Sequence, residues 1–159
     1  MRTIGFSTGA LARSDYSRAL QMLGNKPVNA VELSALRQDE LQPLVEHLDN
    51  LDPGKFSYKA FHAPSSMDRS FEPSAIKLLE QVASRGWPII VHPDAMHTPS
   101  AWAHFGDLLC IENMDKRKPV GQTAADLERI LDFLPEVNSP ANVGQGLNFD
   151  FAVQVGLSK

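Results

Sequence analysis

Five short apolar runs separated by helix-compatible stretches restrict the fold more than any other feature of this sequence. The runs are Thr3 to Ser7 (TIGFS), Ala30 to Ser34 (AVELS), Tyr58 to His62 (YKAFH), Pro88 to His92 (PIIVH) and Leu108 to Glu112 (LLCIE). Each has the length and composition of a strand. Between the first two, Ser14 to Leu23 reads as a helix stopped by Gly24. A second helix is expected from Asp39 to Leu51, with Pro43 resetting its start, because proline suits a first turn and not an interior. A third runs from Pro73 to Ser84, with Leu78, Leu79 and Val82 on one face and Gly86 and Pro88 as stop signals. The fourth gap has room for about two helical turns around Ser100 to Phe105. Thr123 and Asp126 then form a capping-box-like start for a helix through Leu134. Such alternation calls for an α/β fold with a parallel sheet and right-handed crossovers, as a barrel wall or an open doubly wound sheet.

Strand side chains alternate between faces, so each run predicts which residues share a side. Ile4, Phe6, Val31, Leu33, Phe61, Ile89, Val91, Leu109 and Ile111 fall on one face, suited to packing under helices. The other face presents Ser7, Glu32, His62, His92 and Glu112, preceded two residues earlier by Gly5, Ala30, Ala60, Ile90 and Cys110. In a barrel this second face is the interior, and its upper rim is where catalytic groups stand. Neighbouring strands lie about 4.8 Å apart, so strands three to five span about 10 Å. His62, His92 and Glu112 are therefore expected to converge as the ligands of a divalent metal. Two imidazoles and a carboxylate suit Zn, Mn, Fe or Co better than Mg or Ca.

Composition narrows the partners. A formal charge of −4 and the lack of a Lys/Arg-rich stripe argue against a nucleic-acid backbone, whose binding rests on clustered cations. A small, neutral or metal-tethered substrate fits better. The single cysteine, Cys110, sits in an apolar run, which predicts a buried thiol, no disulfide framework and a reducing, cytoplasmic setting. No apolar run approaches the roughly 18 residues of a membrane span, and the opening residues are too polar for a signal peptide.

The motifs FSTGAL (6–11), VELSAL (31–36), FHAPSS (61–66), VHPDA (91–95) and IENMDKRK (111–118) occur in the order and spacing of a known group of proteins. On these residues the chain resembles the xylose-isomerase-like TIM-barrel superfamily, which includes sugar and inositol isomerases, epimerases and endonuclease IV. The resemblance covers about residues 3 to 134. It implies that His62, His92 and Glu112 match metal ligands or metal-proximal groups, and that Glu32 matches a rim carboxylate near substrate. Metal-assisted proton transfer next to a carbonyl, handled by Glu32 or Glu112, is the implied activity, with phosphodiester hydrolysis on abasic DNA opposed by the acidic balance.

The fold expected is thus an incomplete (β/α) TIM-type barrel of about five βα units over residues 1–134, with an atypical tail over 135–159. The tail combines a loop-like PEVNSPANVGQG with an alternating stretch from Leu147 to Val155 that reads as one strand at most. Eight βα units need roughly 250 residues. The family's Asp-x-x-His pair and later ligands have no counterpart here, and Asp150 reads as an ordinary strand residue. The chain is then a truncated product, a half-barrel completed by self-association through its open sheet edges, or a shortened protein that only binds. Ser7, His97, Asn113 and Lys116 are candidate substrate contacts. His47 and His104 read as surface residues, and the Lys116–Lys118 cluster as a solvated loop.

Overall fold

The computed structural model describes residues 4–13, 15–51, 54–132 and 134. Five strands, β1 (Gly5–Ser7), β2 (Ala30–Ser34), β3 (Tyr58–His62), β4 (Ile89–Val91) and β5 (Leu109–Ile111), form one sheet in sequence order. Every neighbouring pair is parallel. Six α-helices fill the connections: α1 (Thr8–Ala12), α2 (Tyr16–Leu23), α3 (Gln38–Glu46), α4 (Glu72–Ala83), α5 (Pro99–Trp102) and α6 (Ala124–Asp132). The architecture is α/β and compatible with part of an α/β barrel. The expected boundary at residue 135, the tail strand and Asp150 lie outside the described residues. Among the described residues no helix is long and apolar enough to cross a membrane.

The outward face of β2, β3 and β4 makes the core as its pattern predicts. Val31, Leu33, Phe61, Ile89 and Val91 are each at most 1% exposed. They share one cluster with Leu41, Leu44 and Val45 of α3, Ala75, Leu79 and Val82 of α4, Trp102 of α5 and Phe105 just beyond it. Burying each large side chain contributes roughly 1.5–3 kcal/mol, which makes this layer the rigid base for the strand ends. The outward face of β1 departs from expectation, because Ile4 is 54% and Phe6 43% exposed. β1 is an edge strand, and no described helix covers that side. Cys110 is half-buried and not buried, since β5 is the other edge of the described sheet.

Local signals account for the shifted helix ends. The first crossover holds an extra turn, α1, and α2 starts at Tyr16, two residues later than read, because Asp15 caps it, its side chain accepting from Arg18 N at 2.8 Å. Pro43 lies inside α3 instead of starting it. The helix begins earlier because Glu40 reaches back to accept from Leu36 N (2.9 Å) and Arg37 N (3.3 Å), fixing the first turn before the proline is met. Thr123 and Asp126 do exchange reciprocal bonds ahead of α6, at 3.3 and 3.1 Å. Gly5 is required where β1 crosses Ala30, since a Cβ there would stand 2.6 Å from the alanine's own Cβ.

Candidate metal centre

Strand register decides which polar groups meet. The pairs Ser7–Glu32, Ser34–His62, His62–Ile90 and Ile90–Cys110 lie directly opposite one another. His62 closes β3, whereas His92 and Glu112 each stand one residue beyond their strands. The ladder carries past those ends, with Ala63 N donating to Ile90 O at 2.8 Å and Glu112 N to Val91 O at 3.0 Å. His92 and Glu112 therefore project on the same inward face as His62, one layer further along.

The three side chains do come together. His62 Nε2 and His92 Nε2 each lie 2.9 Å from the same atom, Glu112 Oε2. One candidate ligand atom from each of the three residues lies within 4.8 Å of the others. The imidazoles are nearly perpendicular, at 84° with centroids 5.0 Å apart, so their edges converge on one region without stacking. All three residues are buried, at 8–9% exposure. His62 is oriented by its other nitrogen, whose N–H donates to the Ala63 carbonyl over 2.6 Å.

Electrostatics follow from this arrangement. Burial alone would lower the His62 pKa. The Glu112 hydrogen bond and the charges of Glu32 and Glu112, with the Ala63 carbonyl, outweigh it and raise the value to about 9. Burial would likewise raise Glu112, but hydrogen bonds from both histidines and their charge hold it well below the usual carboxylate range. The cluster thus demands positive charge, from a proton or from an ion. Two imidazole nitrogens and one carboxylate oxygen make a set that could hold a transition metal with coordination positions left open.

Beside this cluster runs a hydroxyl chain. Ser7 Oγ and Ser34 Oγ are 2.8 Å apart, and Ser34 Oγ donates to Glu32 Oε1 at 3.0 Å. Thr8 Oγ1 accepts from Ser34 N at 2.9 Å. Glu32 sits level with Ser7 and Ala60, so the residue opposite His62 is Ser34. Ser34 was missed in the sequence although the period-two rule places it on the face of Glu32.

The remaining candidates occupy the rim loops. His97 is tied into the loop, its Nε2 meeting Met67 O at 2.8 Å and its backbone N–H donating to Glu72 Oε1 at 2.8 Å. Asn113 is half-buried next to Glu112, and Lys116 is exposed on the following turn. Arg117 is paired with Asp115, and Lys118 Nζ donates to Asp94 Oδ2 at 2.9 Å. His47 and His104 are exposed, as expected.

Two groups were not singled out in the sequence, although Asp94 lies within the VHPDA motif. Glu72 is 2% exposed and its Oε1 accepts from His97 N, Thr98 N and Trp102 Nε1 at 2.8–3.0 Å. Asp94 faces the outer edge of His92, with Oδ1 3.9 Å from Nδ1.

No family model matches the chain, and no curated protein or solved structure matches it. What the chain's own geometry defines is an α/β protein with a buried two-histidine, one-glutamate cluster beyond the C-terminal edge of a parallel sheet.

Proposed function

We propose that this chain is a divalent-metal-dependent sugar isomerase or epimerase-like protein on a partial TIM-type barrel, with His62, His92 and Glu112 as metal ligands. The observation that carries the reading is the placement of both Nε2 atoms 2.9 Å from one oxygen of Glu112. The motif resemblance and the position at consecutive strand ends support it. When bound, a Zn, Mn, Fe or Co ion would act as a Lewis acid on a carbonyl or hydroxyl oxygen. The protein's own groups do the rest. The Ala63 carbonyl fixes the His62 ring so that Nε2 faces inward. Glu32, held at Oε1 by Ser34, is the carboxylate assigned to take a proton from the carbon next to a carbonyl and to return it. Ser7 and Ser34 supply hydroxyls that suit a polyol.

The test is metal titration of the chelator-treated protein, followed by turnover on aldoses, ketoses and their phosphates. One ion per chain, lost in His62→Ala and Glu112→Ala, is expected, with turnover lost in Glu32→Gln. The absence of any tight site overturns the reading. Metal binding without turnover on any sugar supports the alternative, a non-catalytic binding protein built on the same fold.

A further inference from the structure

We infer that Asp94, held by Lys118, is a positioning residue that sets the tautomer of His92 for metal binding. The inference rests on the metal-centre reading above and concerns a residue that the ligand set itself does not include. His92 Nδ1 and Asp94 Oδ1 are both buried without a hydrogen-bond partner, the only such side-chain atoms among the described residues. They face each other across 3.9 Å. Buried polar atoms are nearly always paired, so two adjacent orphans call for a common cause.

The partners of His92 supply that cause. Its Nε2 lies 2.9 Å from Glu112 Oε2, a carboxylate acceptor, which assigns the ring proton to Nε2. In the neutral ring Nδ1 then carries a lone pair. That lone pair confronts the lone pairs of Asp94 Oδ1, and two acceptors with no proton between them stand apart. Coordination through Nε2 requires the opposite arrangement, with the lone pair on Nε2 and the proton on Nδ1. The ring releases the Nε2 proton to solvent and takes one at Nδ1 from water, so its charge does not change. The new N–H faces Asp94 Oδ1, and a closing of the 3.9 Å gap to hydrogen-bond distance satisfies both orphans.

The rest of the loop keeps that acceptor in place. Lys118 Nζ binds the other oxygen, Oδ2, at 2.9 Å, which orients Oδ1 toward the ring. Pro93, between the two residues, packs against Gly121 so closely that a Cβ on the glycine would stand 2.7 Å from Pro93 Cγ. Met114 N donates to Gly121 O at 2.8 Å, closing the same loop that carries Lys118. The segment after β5 therefore holds the segment after β4, and through it the third ligand.

Zn²⁺ titration of the full chain labelled with ¹⁵N-histidine tests this. Long-range ¹H–¹⁵N spectra report which ring nitrogen carries the proton. In the wild type, Zn²⁺ is expected to move the His92 proton from Nε2 to Nδ1. In Asp94→Asn, Lys118 attracts the amide oxygen and the amide N–H₂ turns to Nδ1, favouring the wrong tautomer. Zn²⁺ affinity should fall roughly 10–100-fold, the range for lost outer partners of a ligating histidine. Lys118→Met should weaken it less, and both variants should keep the wild-type circular dichroism. Uptake of Zn²⁺ by Asp94→Asn with wild-type affinity and the same Nδ1 signal overturns this inference alone. A wild type that takes up no Zn²⁺ overturns the metal-centre reading and this inference with it.

Discussion

His62 Nε2 and Glu112 Oε2 lie 2.9 Å apart across two strand crossovers, from β3 through β4 to β5. Each is buried, so neither charge is tolerable alone. The pair holds because the imidazole keeps a proton far above its usual range while the carboxylate stays ionised below its own. A divalent ion would satisfy Glu112 in the same way and displace that proton, so stability and metal affinity are linked to pH through the same atoms.

In chelator, the pair should give a defined pH profile of stability. The His62 pKa is raised from 6.5 to about 9, so its contribution is fully present below pH 6.5 and is lost as pH rises toward 9. Glu112 is lowered from 4.5, so its contribution is present above pH 4.5 and is lost as pH falls further. Thermal melts of wild type and His62→Gln should differ most between these limits, and the difference should shrink by pH 9. A difference constant from pH 5 to 9 would remove the pair as its source.

Metal uptake should run the other way. At pH 7 His62 holds its proton, and coordination must expel it, so the apparent affinity is expected to rise about tenfold per pH unit until about pH 9. Calorimetry at pH 7 in two buffers of different ionisation enthalpy should show about one proton released per ion. Release of none would contradict the charge state assigned to His62.

The strand ends were legible because alternation is a strict rule. His62, His92 and Glu112 could be placed on one face from spacing alone. The parts that were not legible depend on contacts between distant segments. Glu32 shares the inward face, but register sets it one layer below His62 and puts Ser34 opposite that ring, and register between strands is written in no single run. Asp94 and Glu72 act through loops whose shape the sequence does not encode locally. The exposed face of β1 departs from its apolar pattern because pattern says which residues could be covered, not whether a helix arrives to cover them.

Glu72→Ala should destabilise the protein by about 2–4 kcal/mol. The change strands Trp102 Nε1–H and the backbone N–H groups of His97 and Thr98, and a buried unsatisfied donor costs about 1–3 kcal/mol. Trp102 is fully buried, so water does not replace the lost acceptor at the indole. Glu72→Gln keeps an acceptor oxygen and should lose clearly less. Urea melts with intrinsic tryptophan fluorescence distinguish them, and equal losses would show that the negative charge, not the acceptor, is what matters.

Gly121→Ala and Gly86→Ala separate backbone strain from loop packing. Both glycines have positive φ, 81° and 70°, so an alanine at either position carries strain on the order of 1–3 kcal/mol. They differ in surroundings. A Cβ at Gly86 meets nothing within 4 Å, whereas one at Gly121 meets Pro93 Cγ at 2.7 Å and Met114 Cγ at 3.1 Å. Pro93 sits between His92 and Asp94, so displacing it moves the proposed ligand His92 relative to the Asp94 carboxylate. Both variants should melt lower than wild type, but only Gly121→Ala should also bind Zn²⁺ more weakly, by roughly tenfold or more if the Asp94 contact is lost. Equal Zn²⁺ affinity in the two variants would show that the loop after β5 stabilises the fold without reaching the ligands.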